Sequence, residues 1–323
     1  MKKIIFILII STSIVMARKV IVKMATLAPQ GTDVHAMLLE LSQEWKNITK
    51  GKVRLKIYPG GVIGDERDMV RKIRIGQIHA AAMTSEGLSE IAPEFAGFFI
   101  PLAFQNYEEI EKVKESLFPE LKLKMNNSGF ELLSLNDFGW VHWFSTEVVK
   151  TPDDLKKQEF FTWAGDFRWE EIWKKAGYSP VPLASTDILT GLQTGLINAI
   201  PTMPIYALTQ QSFGIAKNML DLKWGVVMAG IIFDSKVWKR IPIKYHKEMK
   251  SVLDDILERN QKLNRESEKK SIKIMVENGL TVHSLTEKEK DVWVEEVREF
   301  QHLLKGDVIP EEIYNKVTNI IKN

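Results

Sequence analysis

Val53-Arg54-Leu55-Lys56-Ile57-Tyr58, then Pro59-Gly60-Gly61-Val62-Ile63-Gly64, then Asp65-Glu66, is the stretch on which the fold turns. Its first six residues alternate apolar and polar, the period of a strand with one buried face. The Pro-Gly-Gly run is a turn. Asp65 can cap a helix that carries Met69 and Ile73 and stops at Gly76. Upstream, Val20 to Ala25 reads as a short buried strand, and Thr26 to Gly31 as a loop. Thr32 or Asp33 then caps a helix on which Met37, Leu41, Trp45 and Ile48 recur at spacings of about four. Downstream, Ile78 to Met83 reads as a third strand. The order βαβαβ predicts a parallel sheet with helices on its faces.

The second half repeats the grammar. Trp140 to Phe144, Phe160 to Trp163, Ser179 to Leu183 and Leu196 to Ile200 read as strands. Trp169 to Ala176 and Thr186 to Thr194 read as helices, the latter stopped by Gly195. The segment from Pro242 to Asn278 lacks internal Gly and Pro and predicts one long helix or two with a small kink. Helices over Thr286 to Leu304 and after Pro310 follow.

The chain starts with Lys2 and Lys3, an apolar run from Ile4 to Ile10, and Val15-Met16-Ala17, the pattern of a secretory signal peptide. The mature chain is expected to begin near Arg18. Lys+Arg number 44 and Asp+Glu 42, and removing the two leader lysines leaves 42 of each, so nothing points to nucleic acid. Cysteine is absent, which excludes disulfides, thiolate metal sites and a lipid-modified cysteine. A freely diffusing periplasmic protein of two domains is the expectation.

Catalytic patterns are missing. The six histidines show no His-Glu-x-x-His spacing, no Gly-x-Ser-x-Gly elbow occurs, and Gly60-Gly61-Val62-Ile63-Gly64 lacks the Lys-Ser/Thr of a phosphate loop. Asp65, Glu66 and Asp68 suit the first turn of a helix, whose dipole favours acids. No enzyme, metal or cofactor is expected. Aromatic residues crowd one window instead: Phe138, Trp140, Trp143, Phe144, Phe160, Phe161, Trp163, Phe167, Trp169 and Trp173. Neighbours on a strand face opposite sides. One core therefore cannot hold them all, and some must line an edge, cleft or interface.

Several of these segments resemble the binding subunits of TRAP transporters: Tyr58 to Glu66, Ile73 to Ile78, Lys150 to Lys156, Pro180 to Leu183 and Leu192 to Asn198, in the same order and at similar spacing. The resemblance covers about residues 20 to 240, and the long helix also fits. It implies an α/β two-lobed clamshell with mixed sheets, crossing hinge strands and a long bracing helix. The lobes would be 18–140 with about 228–268, and 141–227 with about 269–323. It implies a small-molecule ligand held between lobes and delivered to a small and a large membrane permease subunit.

One departure bears on the ligand. Where most of the family places a carboxylate-binding arginine, this sequence has Phe161. A second arginine position is Val141, and the asparagine of the family's "DGQENP" stretch corresponds to Thr202. The expected cargo is therefore apolar or amphipathic. The expected site is Phe161, Trp163 and Trp140, with Thr26, Thr84 and Glu86 from loops after first-lobe strands. Thr202, Met203 and Trp224 complete it, and Arg168 stands nearby as a candidate replacement charge. Three alternatives stay open: a binding protein of an ATP-driven importer, an exported hydrolase or lyase using Asp166 or Glu86, and a sensor or scaffold. Some relatives of the aromatic subgroup work with a tetratricopeptide-repeat partner.

Overall fold

The computed structural model describes residues 19–322, so the expected leader and the start near Arg18 lie outside the described residues. Strand β1 (Val20–Thr26) runs parallel to both β2 (Val53–Tyr58) and β3 (Ala80–Thr84). Between them, α1 (Asp33–Ile48) starts on Thr32, whose hydroxyl accepts from the His35 amide at 3.3 Å, and buries Met37, Leu41 and Trp45. Helix α2 (Glu66–Arg74) starts on Asp65, whose carboxylate accepts from the Glu66 amide at 2.7 Å. The βαβαβ reading holds, with β3 beginning two residues later than read.

After α3 (Ser85–Ser89), a 3-10 turn over Pro93–Phe99 and α4 (Tyr107–Asn127), the chain enters β4 (Phe130–Ser145). The sequence reading had only the distal part of this 16-residue strand. The second lobe then forms from α5 (Pro152–Lys156), β5 (Glu159–Trp163), α6 (Phe167–Lys175), β6 (Ser179–Leu183), α7 (Ile188–Thr194), β7 (Ala199–Thr202) and α8 (Pro204–Thr209). Strand β6 tolerates Pro180 and Pro182 because it is the sheet edge. Strand β7 starts three residues later than read. Gly195 adopts φ +73°, and Leu196 donates its amide back to the Gly191 carbonyl, so this segment caps α7 before the strand begins.

Strand β8 (Asn218–Asp234) joins the two lobes. It pairs antiparallel with β3 and, along its whole length, with β4, giving the order β2-β1-β3-β8-β4-β7-β5-β6. Parallel strands at each end are thus bridged by two long antiparallel crossing strands in one continuous mixed sheet. The β4–β8 register breaks at Leu132/Ser134, Asp137/Gly139 and Val141/Trp143. Such irregularities bend and twist the pair where it passes between lobes.

Helix α9 (Ser235–Arg240) is followed by α10 (His246–Glu277), one unbroken helix of 32 residues, about 48 Å long. Met249, near its start, accepts a hydrogen bond from the Trp45 indole at 2.9 Å, and Met275, near its end, packs in the second-lobe core. It therefore braces both lobes. Strand β9 (Thr281–His283) adds to β8, and α11 (Glu287–Leu304) lies on α5 and α6. Helix α12 (Glu311–Lys322) returns to α4 and the Pro93–Phe99 turn. Its apolar face, with Ile313 and Val317, joins the buried cluster that also holds Phe95, Leu117 and Leu121.

Most of the aromatic window is core. Trp143 meets Phe160, Trp173 and Trp224 at ring distances of 5.1, 6.2 and 5.7 Å. On β5, Phe160 joins that central cluster while Phe161 turns to the separate second-lobe cluster with Phe144, Leu192 and Met219. Alternation along the strand splits the pair, as its geometry requires.

Candidate ligand-binding cleft

A cavity of about 550 Å³ lies between the lobes, within the range of small-molecule sites. Its walls contain eight of the nine residues expected from sequence: Thr26, Thr84, Glu86, Phe161, Trp163, Thr202, Met203 and Trp224. Phe161 and Trp163 pack edge to face at 5.4 Å, so one ring buttresses the other. Trp140 is the correction. It is buried outside the cavity, against Tyr107 at 5.3 Å, with the Lys223 ammonium 4.6 Å from its ring. Its neighbour Val141 takes the cavity side of β4. Arg168 lines a separate, smaller pocket and donates to the Asp307 carbonyl at 3.2 Å, away from the cavity between the lobes.

The lobes touch across the mouth. The Ser185 amide donates to Asp65 Oδ2 at 2.8 Å, and Arg67 Nη2 stands 3.4 Å from Asp166 Oδ2. Gly61 approaches Thr186 so closely that a Cβ there would come within 2.8 Å of its methyl group. The turn before α2 therefore needs glycine for closure as well as for its φ of +70°.

Three consecutive residues at the start of α2 organise the polar wall. Asp65 reaches the second lobe. Glu66 turns inward, accepting from the Thr84 amide and hydroxyl, both at 2.7 Å, and from the Gly87 amide at 2.9 Å. Burial raises its carboxyl to about 7 despite those bonds. Arg67 contacts Glu86, Glu90 and Asp166. Burial also pushes Glu86 well above the usual carboxyl range, reinforced by Asp166 and opposed by Arg67.

Sequence reasoning missed the cavity positions of Glu66, Ser185 and Tyr206, and named Asp166 only under the hydrolase or lyase alternative. Glu66 read as a helix-dipole acid, and nothing local marks Ser185, whose partner Asp65 lies 120 residues away. Among the described residues that line the cavity there is no lysine, arginine or histidine. The acidic side chains are those of Asp33, Glu66, Glu86 and Asp166. The Thr84 hydroxyl is already committed to Glu66. What remains is a large aromatic and aliphatic surface with a few acceptors.

Comparison with known proteins now decides the family. The family described as "Bacterial extracellular solute-binding protein, family 7" matches residues 24–304. The chain belongs to this family. It is a TRAP-type solute-binding protein, a receptor for small molecules rather than an enzyme. Among its relatives, the C4-dicarboxylate-binding periplasmic protein DctP of Vibrio cholerae is 20% identical over 282 residues, covering 86% of this chain and 84% of the relative. The 2,3-diketo-L-gulonate-binding periplasmic protein YiaO of Escherichia coli is 23% identical over 271 residues, covering 80% and 82%. The crystal structure of a TRAP solute-binding protein from Shewanella oneidensis with bound succinate superposes with a TM-score of 0.86 at 16% identity, covering 94% of this chain and 99% of that one. A protein from Xanthobacter autotrophicus Py2 with bound β-D-galacturonate gives 0.84 at 17% identity, covering 93% and 99%. The clamshell fold is thereby established for this solute-binding protein. No helix among the described residues is long and apolar enough to cross a membrane.

Proposed function

We propose that this solute-binding protein captures an apolar or amphipathic small molecule in the interlobe cavity and delivers it to the small and large membrane subunits of a TRAP permease. The observation that carries the reading is the cavity wall: Phe161 and Trp163 contribute rings, and no cationic side chain among the described residues lines it. A carboxylate entering such a wall would lose its hydration without gaining an ion pair. The solved relatives described above hold succinate and galacturonate, both acids.

Ligand in the cleft touches both lobes and so favours the closed arrangement by its differential affinity for it. The lobes divide near 140/141, 227/228 and 268, with α12 a strap back to the first. The leader Met1–Ala17 exports the chain to the periplasm, and without cysteine it carries no lipid. A tetratricopeptide-repeat protein is the alternative recipient, distinguished by which partner the ligand-loaded form retains in pull-down.

The deciding experiment is native mass spectrometry of the purified protein, followed by extraction and identification of what co-purifies. A neutral or amphipathic molecule is expected. A tightly held dicarboxylate would overturn the reading.

A further inference from the structure

The cavity has a polar end, and its chemistry is one-sided. Glu86 from α3 and Asp166 from the start of α6 meet there from opposite lobes, both against Arg67, with side chains only 18% and 13% exposed. Arg67 approaches both from outside the cavity wall, at 3.3 and 3.4 Å, but makes its shortest contact, 2.6 Å, with Glu90. The carboxyl groups of Glu86, Glu90 and Asp166 therefore share a single guanidinium. Acid outnumbers base at the cavity end.

An independent observation comes from Ser185. This residue lies in the same cavity wall at 8% exposure, and its hydroxyl has no hydrogen-bond partner, although its amide is taken by Asp65. A buried hydroxyl is normally paired, and one left open in a ligand cavity awaits a group from the ligand. Asp65, Glu66 and Arg67 are consecutive, so the supports of Ser185 and of the Glu86–Asp166 pair rise from one turn of α2.

We infer that the cargo carries a protonated amine on its apolar body, received by Glu86 and Asp166 with Ser185 completing the polar contacts. This deepens the apolar-ligand reading and rests on it. An ammonium donates only, and the carboxyl pair and open hydroxyl can all accept. It would be drawn by the excess of acid over base, while an acid of the same shape would be repelled.

The test uses three probes with one body and three heads: 4-phenylbutylamine, 4-phenylbutanol and 4-phenylbutyrate. Calorimetry on the full-length mature protein at neutral pH is expected to rank the amine about tenfold or more above the alcohol, with the acid undetected. Glu86→Gln and Asp166→Asn should each erase the advantage of the amine over the alcohol. Circular dichroism of each variant checks that it is folded, and the wild-type ranking stands as evidence without either variant. An alcohol that binds as well as the amine overturns the head-group assignment and leaves the apolar reading standing. Binding of the acid alone, or of none of the three, overturns both.

Discussion

Arg67, in the first turn of α2, reaches across the cleft mouth to Asp166 at the start of α6, Nη2 to Oδ2 3.4 Å. Its bonds to Glu86 and Glu90 stay within the first lobe and survive opening, whereas the bond to Asp166 exists only when the lobes meet. The same residue therefore buttresses one lobe and latches it to the other.

Arg67→Ala is expected to shift the hinge equilibrium toward open. With Arg67 about 30% exposed, the latch is worth roughly 0.5–1 kcal/mol, a two- to fivefold change in the closed fraction. Small-angle scattering should show a larger radius of gyration for the variant without ligand. An unchanged radius in both states would mean the pair does not govern closure.

A second prediction concerns the brace. Arg265 of α10 donates from Nε to Asp137 Oδ1 at 3.0 Å and covers the Tyr107 ring at 4.2 Å; Gln261 bonds the same carboxylate. Asp137 sits in β4 where the register breaks, with its side chain 1% exposed. Arg265→Met leaves that buried carboxylate with too few partners and should cost about 2–4 kcal/mol, read as a lower denaturant midpoint. Loss below about 1 kcal/mol would show the brace to be held by packing alone.

Legibility followed range. Caps and alternation act over a few residues, so Thr32, Asp65 and the Val53–Tyr58 strand could be read directly. The lengths of β4 and β8 could not, because three register breaks interrupt their alternation and Gly139 adopts a positive φ of +132°. Trp140 was misplaced for the same reason: the side of a strand is fixed by its pairing, and that pairing is with residues near 226. Hydrophobicity alone could not separate Phe161, which joins the second-lobe cluster, from its neighbour Phe160, which joins the central core cluster. The polar wall was only partly visible, since the Asp65–Ser185 and Arg67–Asp166 contacts form between lobes.

Glu66 yields a pH prediction. Its carboxyl is raised from 4.5 to about 7 by burial, so between those values the folded state binds a proton that the unfolded state has released. Stability from this group is present below pH 4.5 and falls as pH rises through 7, by about 3 kcal/mol at most. Glu66→Gln should lower stability at pH 5, because its amide nitrogen must face a backbone or hydroxyl donor that Glu66 now accepts from. The gap between wild type and variant should then narrow toward pH 8 in thermal melts. A constant gap across that range would show that Glu66 does not titrate in it.

Phe161→Arg tests the basis of ligand choice. The ring it replaces is 4% exposed and lies in a wall that has no cation among the described residues. A guanidinium there, in the empty protein, would lose hydration among the apolar neighbours that now surround the ring, so the variant should melt lower than wild type. An organic acid supplies the missing partner by a charge-assisted, two-point contact, and a ligand that binds only the folded state raises its stability. Succinate should therefore raise the melting temperature of the variant and leave that of wild type unchanged, with calorimetric affinity at least about tenfold above wild type. If no organic acid gains affinity, then position 161 does not select cargo charge. The preference would have to arise instead from the acidic wall formed by Glu66, Glu86 and Asp166, which the substitution leaves in place.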